Sequence, residues 1–148
     1  MKVSTKGEYG IRALLELSLR YGDGYVQSSE IASARQIPEN YLYQLLITLR
    51  KAGIIRSRRG PQGGHMLARA PHDISVADAL VALEGPIEPT LCVQEDVVND
   101  CPFEDTCAMR EVWQRVTDVT RAVLESTSFG FLAERETALR QAEMSSLN

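Results

Sequence analysis

Residues 38–68 run PENYLYQLLITLRKAGIIRSRRGPQGGHMLA, and the reading of this stretch decides the fold. Leu42, Leu45, Leu46 and Leu49 recur at i, i+3, i+4 and i+7, the spacing that gathers side chains on one face of an α-helix. Pro38 suits the first turn of that helix, where its missing N–H is no loss, and Gly53 suits the closing position. The opposite face displays Asn40, Tyr43, Gln44 and Ile47. Ile54 to Ser57 and His65 to Ala68 predict two short strands. Between them Arg58-Arg59-Gly60-Pro61-Gln62-Gly63-Gly64 is too flexible and too basic for anything but an exposed hairpin tip.

Upstream, Thr5-Lys6-Gly7-Glu8 has the form of a capping box, in which hydroxyl and carboxylate satisfy free backbone donors, and predicts a helix to about Tyr21 that Gly22-Asp23-Gly24 ends. Its apolar residues spread wider than one stripe, as in a helix packed on two sides. Ser28 is placed to cap a short helix containing Ile31 and Ala32. Downstream, Ser75-Val76-Ala77-Asp78 forms a second capping box, opening a helix through Leu80 and Leu83 that Gly85-Pro86 stops. Residues 87–102 are acidic and aperiodic, a loop carrying Cys92 and Cys101, with Cys107 just beyond. Met109, Val112, Trp113, Val116, Val119, Thr120, Val123 and Leu124 then predict a long amphipathic helix from about Glu104 to Glu125. One chain offers that helix little to bury against, which points to a dimer interface. Phe129, Phe131 and Leu132 predict a last short helix.

The expected fold is therefore mainly α with a small two-stranded wing: a winged helix-turn-helix plus a long dimerisation helix. Residues 1–70 form the head, 71–103 a connecting helix and cysteine-bearing loop, 104–136 the dimerisation helix and a short helix, and 137–148 a frayed tail. Such a head places its third helix in the DNA major groove, with the wing against phosphates or in the minor groove. Asn40 and Gln44 are amides able to pair with base edges or phosphates. Tyr43 can meet the backbone or a thymine methyl, and Arg58 and Arg59 suit a narrow minor groove.

Charge distribution agrees. Residues 1–70 carry 11 Lys or Arg against 5 Asp or Glu (+6), and residues 71–148 carry 5 against 15 (−10), which together give the overall −4. Only the first half suits phosphate. The apolar stretch after Met1 is broken by Glu8, Arg12 and Glu16, so neither a signal peptide nor a membrane span is expected and the location expected is the cytoplasm. No nucleophile–base pair or phosphate-cradling loop stands out, and an enzyme is not expected. A small iron–sulfur redox protein or metalloenzyme is the alternative from another class, but it leaves the wing without a use.

Cys92, Cys101 and Cys107 are three and cannot all pair with one another. In a reducing compartment their spacing points first to metal or redox chemistry, and soft thiolates favour iron–sulfur clusters or zinc. Reactive thiols and inert cysteines remain alternatives at this point.

Several separated blocks resemble the Rrf-type winged-helix regulators: the opening Met1-Lys2-Val3-Ser4-Thr5-Lys6-Gly7-Glu8-Tyr9-Gly10, then Tyr41 to Leu46, Leu49 to Gly53, Arg59 to Gly64, and Leu83 to Ile87. The resemblance covers nearly the whole chain. It implies a homodimer on a pseudo-palindromic operator of double-stranded DNA, with Asn40, Gln44 and Arg59 as contacts. It also implies an iron–sulfur cluster, 2Fe-2S or 4Fe-4S, held by Cys92, Cys101 and Cys107. The family's iron–sulfur regulator has a histidine three residues after its last cysteine, where this chain has Arg110, and a glutamate where it has Tyr43. Operator preference is therefore not carried over. The family's nitric-oxide sensor resembles this chain at Glu8, which implies an acidic fourth ligand from the partner subunit. Glu8 then has two readings, cap and ligand, which compete for one carboxylate. A metal-free, thiol- or partner-responsive repressor, like the family's cysteine-metabolism member, is the remaining alternative.

Overall fold

The computed structural model describes residues 1–148. Six helices and one hairpin follow in order: α1 (Thr5–Leu19), α2 (Ser28–Arg35), α3 (Glu39–Lys51), β1 (Ile55–Arg58), β2 (Gly64–Leu67), α4 (Val76–Glu84), α5 (Ala108–Ser126) and α6 (Phe129–Ser146). The strands pair antiparallel, Ile55 opposite Leu67 and Arg58 opposite Gly64. This is the expected mostly helical fold with a two-stranded wing.

The amino end of α1 corrects the capping assignment. Ser4, not Thr5, is the N-cap, its hydroxyl accepting from the Gly7 N–H at 3.1 Å. Glu84, at the end of α4, accepts from the Ser4 N–H at 2.7 Å and from its hydroxyl. A distant carboxylate thus fills the place a local one was expected to hold, and Glu8 instead pairs with Arg12 one turn on, at 2.9 Å. The close approach depends on two glycines. A Cβ on Gly7 would run into the Glu84 carboxylate, and one on Gly10 into Leu83. The Ser75–Asp78 capping box stands as expected, with both reciprocal bonds near 3 Å.

The stripe Leu42, Leu45, Leu46 and Leu49 packs against Leu14 and Leu17 of α1, Ile31 of α2 and Ile54, Ile55 and Leu67 of the wing base. The same core takes in Ile74, Ala79 and Leu83, and also Phe129, which is fully buried. It therefore runs well past residue 70.

Phe129 accounts for the second difference from the sequence reading. The last helix is neither short nor followed by a frayed tail over 137–148, since α6 continues to Ser146. Phe129 fixes its first turn in the core, and the Phe129 N–H donates to the Ile74 carbonyl at 2.9 Å while the Val76 N–H donates to that of Thr127 at 2.9 Å. Farther along, Arg35 of α2 bridges Glu16 of α1 at 2.8 Å and Glu136 of α6 at 2.9 Å, with both the Arg35 and Glu16 side chains nearly buried. Beyond Glu136 the residues are exposed but rich in Ala, Leu, Arg, Gln, Glu and Met, which sustain helix on propensity alone.

Arg35→Met should strand two carboxylates and lower unfolding free energy by about 3 kcal/mol, read by urea denaturation at neutral pH, with Glu16→Met added to it restoring part of the loss. Burial pushes the Glu136 carboxyl up, but Arg35 and Arg140 outweigh it and hold the group below the usual carboxylate range. Its contribution is complete at neutral pH and is lost as pH falls through that range and below it, so the gap between wild type and Arg35→Met should narrow on acidification.

Candidate nucleic-acid interface and cysteine loop

Because the leucine face of α3 points inward, Asn40, Tyr43 and Gln44 point outward and all three are exposed. Pro38 occupies the N-cap one position earlier than expected and offers no side-chain cap. The side-chain Oδ1 of Asn40 instead accepts from the Tyr41 N–H at 3.0 Å, and its amide nitrogen makes no hydrogen bond within the chain.

The wing is held more firmly than a glycine-rich tip suggests. Val26 and His65 exchange both backbone hydrogen bonds at 2.8 Å, adding a third short partner beside β2. The Gln27 amide donates to the carbonyls of Gly63 at 2.8 Å and Pro61 at 3.3 Å. Gly64 has φ +138° against the Val26 backbone, a place no Cβ fits. Arg58 is part of this brace: its guanidinium lies 4.6 Å from the Tyr25 ring centroid and donates to the Gln62 carbonyl at 2.9 Å. Arg59 beside it is exposed and has no partner within the chain, so the two arginines expected to act alike are held differently.

Between α3 and the wing lies a cleft of about 410 Å³ whose lining includes Tyr43, Ile47, Arg50, Ser57, Arg59 and His65 and no carboxylate. Arg12, Arg20, Arg35, Arg69, Arg110, Arg121 and Arg140 all pair with carboxylates elsewhere in the molecule. Arg50, Arg58 and Arg59, which line this cleft, do not. Their positive charge is left available to phosphate. Sequence reading passed over Arg50, although Tyr43, Ile47 and Arg50 stand at i, i+4 and i+7 on one helix face. Tyr25 and Gln27 carry no comparable signal, because their role is defined by the wing folding back on them.

The three cysteines are free thiols. Cys92 sits in a single 3-10 turn with its sulfur 3.1 Å from the Thr90 hydroxyl, Cys101 is exposed in the loop, and Cys107 is the residue from which α5 starts. In this single chain no three His, Cys, Asp or Glu side chains are gathered into one metal-binding group. Arg110 binds the loop back, donating to the Cys92 carbonyl at 3.3 Å and to the Glu104 carbonyl at 3.5 Å. Arg121 does the same through Glu88 and Glu95. Glu8 is exposed on α1, His65 bonds Ser57, and His72 bonds Glu134, so none of them joins the cysteines.

On α5 the residues Met109, Val112, Val116, Val119 and Val123 alternate by three and four, and all but Val116 are exposed hydrophobics. Val116 borders the side of α5 that faces α4, where it shares a cavity with Thr120, Leu124 and Leu80. No helix is long and apolar enough to cross a membrane.

A family profile described as Rrf2, iron-dependent transcriptional regulator, matches residues 3–135. The transcriptional regulator CymR of Bacillus subtilis is 38% identical over 144 residues, covering 97% of this chain and 98% of its own. The solved structure of that protein, described as the global cysteine regulator of B. subtilis, superposes with a TM-score of 0.76 over 91% of this chain and 98% of its own. The structure of IscR from T. potens, 35% identical, gives 0.72 over 93% and 90%.

The brace on the wing makes a direct prediction. Gln27→Ala should release residues 60–64, seen as faster amide exchange and faster tryptic cleavage after Arg58 and Arg59, with helix content by circular dichroism unchanged.

Proposed function

Given that the chain belongs to the Rrf2 family, and is thus a DNA-binding transcription regulator and not an enzyme, we propose that it acts as a homodimer on a pseudo-palindromic operator under control of its cysteine loop. The observation that carries the DNA surface is the cluster of Arg50, Arg58 and Arg59, none in an ion pair with a carboxylate, beside the outward face of α3. Asn40, Tyr43 and Gln44 meet base edges and backbone in the major groove, and Arg59 enters the adjacent minor groove while Arg58 keeps the wing in shape. The apolar stripe of α5 meets its counterpart in a second copy, setting the two recognition helices about 34 Å apart, one turn of DNA.

For the switch, Cys92, Cys101 and Cys107 hold an iron–sulfur cluster, with Glu8 of the partner subunit as fourth ligand. The donor chemistry fits: three free thiols lie in one loop, and Glu8 is released from helix capping, which Ser4 and Glu84 perform. The loop must close around the group, since the thiols are not gathered in the single chain. A bound cluster supplies a center whose charge and ligation change with redox state and small diatomic ligands. What the chain contributes is Arg110, which links the Cys92 segment to the first turn of α5, so that rearrangement of the thiols shifts the helix that sets head spacing.

A second reading is favoured by the 38% identity with CymR along nearly the whole chain and by the guanidinium of Arg110 standing where a ligand could. In it no metal is held, and Cys92, Cys101 and Cys107 respond by thiol oxidation or through a partner protein.

Arg59→Ala should weaken operator binding by roughly tenfold or more in a mobility or anisotropy assay while leaving the dimer intact; unchanged affinity would refute its role. Anaerobically purified protein should be colored, with iron and sulfide in proportion, and Cys101→Ala should be a colorless dimer. Colorless wild type with reversible loss of DNA binding on oxidation would establish the second reading instead.

A further inference from the structure

His65 has no task in the regulator as described, yet its position gives it one. It lies in β2 on the wall of the cleft between α3 and the wing, half-buried, with Nδ1 2.8 Å from the Ser57 hydroxyl. When Ser57 donates to Nδ1, the ring proton sits on Nε2, and no group of the chain hydrogen-bonds that nitrogen. Across the same cleft stands Arg50, the last exposed cation on the α3 face that carries Tyr43. Two donors of different reach thus share a cleft that is open to solvent and free of carboxylates.

We propose that this cleft seats one phosphate of the DNA backbone, with Arg50 and the Nε2 of His65 as its two ligands. The proposal rests on the reading of α3 and the wing as the DNA surface. The geometry suits the role because a duplex whose major groove receives α3 must run its backbone between that helix and the wing, where Arg59 turns toward the minor groove. A fixed guanidinium supplies charge, and an imidazole oriented by Ser57 supplies a directional hydrogen bond. Bases are not read at this seat. It fixes how deeply α3 sits, and therefore where Asn40 and Gln44 meet the bases.

The charged surroundings give the contact a sign. Arg50 and the phenol of Tyr43 face the cleft from α3, and Arg58 and Arg59 face it from β1 and the tip; Gln27 and Ser28, on the third wall, are uncharged. Glu30, the nearest acid in that segment, is engaged by the Gln27 N–H and by Arg20. Burial first, and then the charge of Arg50, hold the imidazole below the usual histidine range, so it is neutral in the free protein at pH 7. A phosphate entering the cleft reverses that balance, since an adjacent anion favours the protonated ring. DNA binding then draws a proton onto His65, and affinity rises as pH falls.

The test needs no variant at first. The ring of His65 is titrated by NMR in the full-length protein, alone, with mixed-sequence duplex DNA at low salt, and with inorganic phosphate. Duplex DNA should move the midpoint upward by at least about one pH unit, a tenfold change in proton affinity, whatever the sequence. A midpoint that stays in place while DNA is bound would overturn the seat but leave the DNA surface intact, whereas no DNA binding at all would remove both. An equal shift with inorganic phosphate alone would mark a free-anion site and overturn the assignment to DNA. As a second reading, His65→Gln should bind DNA with a flatter pH dependence between about pH 6 and 7.5, losing several-fold of the low-pH gain, while Arg50→Gln should weaken binding to all sequences and lower the salt slope by about one. A pH profile identical to wild type in His65→Gln would also overturn it.

Discussion

A helix has one angular period, and α3 uses it twice. The four leucines that turn inward are at most 2% exposed, and burying them fixes the rotation of the helix about its own axis. Asn40, Tyr43, Gln44 and Arg50 are displayed by that same rotation. The core and the surface proposed to meet DNA are therefore not separable: slipping the register by one residue would turn leucines toward solvent and the amides inward. The wing base adds Ile54, Ile55 and Leu67 to the same core, so the hairpin is held at a fixed angle to the helix beside it. The cleft between them is shaped by that shared anchor.

Periodicity and turn chemistry carried most of this to the surface of the sequence. The Leu42 to Leu49 repeat, the Arg58 to Gly64 tip and the Ser75–Asp78 box are local signals, and each corresponds to a local structure. What could not be read locally was settled by contacts between distant residues. Thr5 and Glu8 have the right types for a cap, but Glu84 comes from eighty positions away to serve the Ser4 N–H, and that displaces the cap by one residue. Gly7 and Gly10 look like weaknesses in a helix until α4 is seen lying across them. The extent of α6 was hidden for a different reason. Past Glu136 it has no apolar stripe, and a period cannot be found where nothing is buried.

At the candidate site the same division holds. Residues that project from a regular element were legible, since Asn40, Tyr43, Gln44 and Arg59 follow from phase or loop position. The residues that brace the wing, Tyr25 and Gln27, were not, because each acts through a fold-back contact. The cysteines are an intermediate case. Their chemistry is evident from type and number, but their mutual arrangement depends on a loop tied to α5 by Arg110 and Arg121.

Phe129 gives the architecture an unexpected indivisibility. Its ring completes a core whose other walls come from residues 13 to 83, although it opens the helix that follows the long α5. The winged head is thus finished by a part of the chain that comes after the cysteine loop. Such a protein resists modular exchange: grafting the head onto a foreign effector at residue 70 leaves a hole where the aromatic ring belongs. New C-terminal halves can be fitted to this head only if they return a large apolar side chain to the same socket, which ties diversification after residue 70 to the geometry before it.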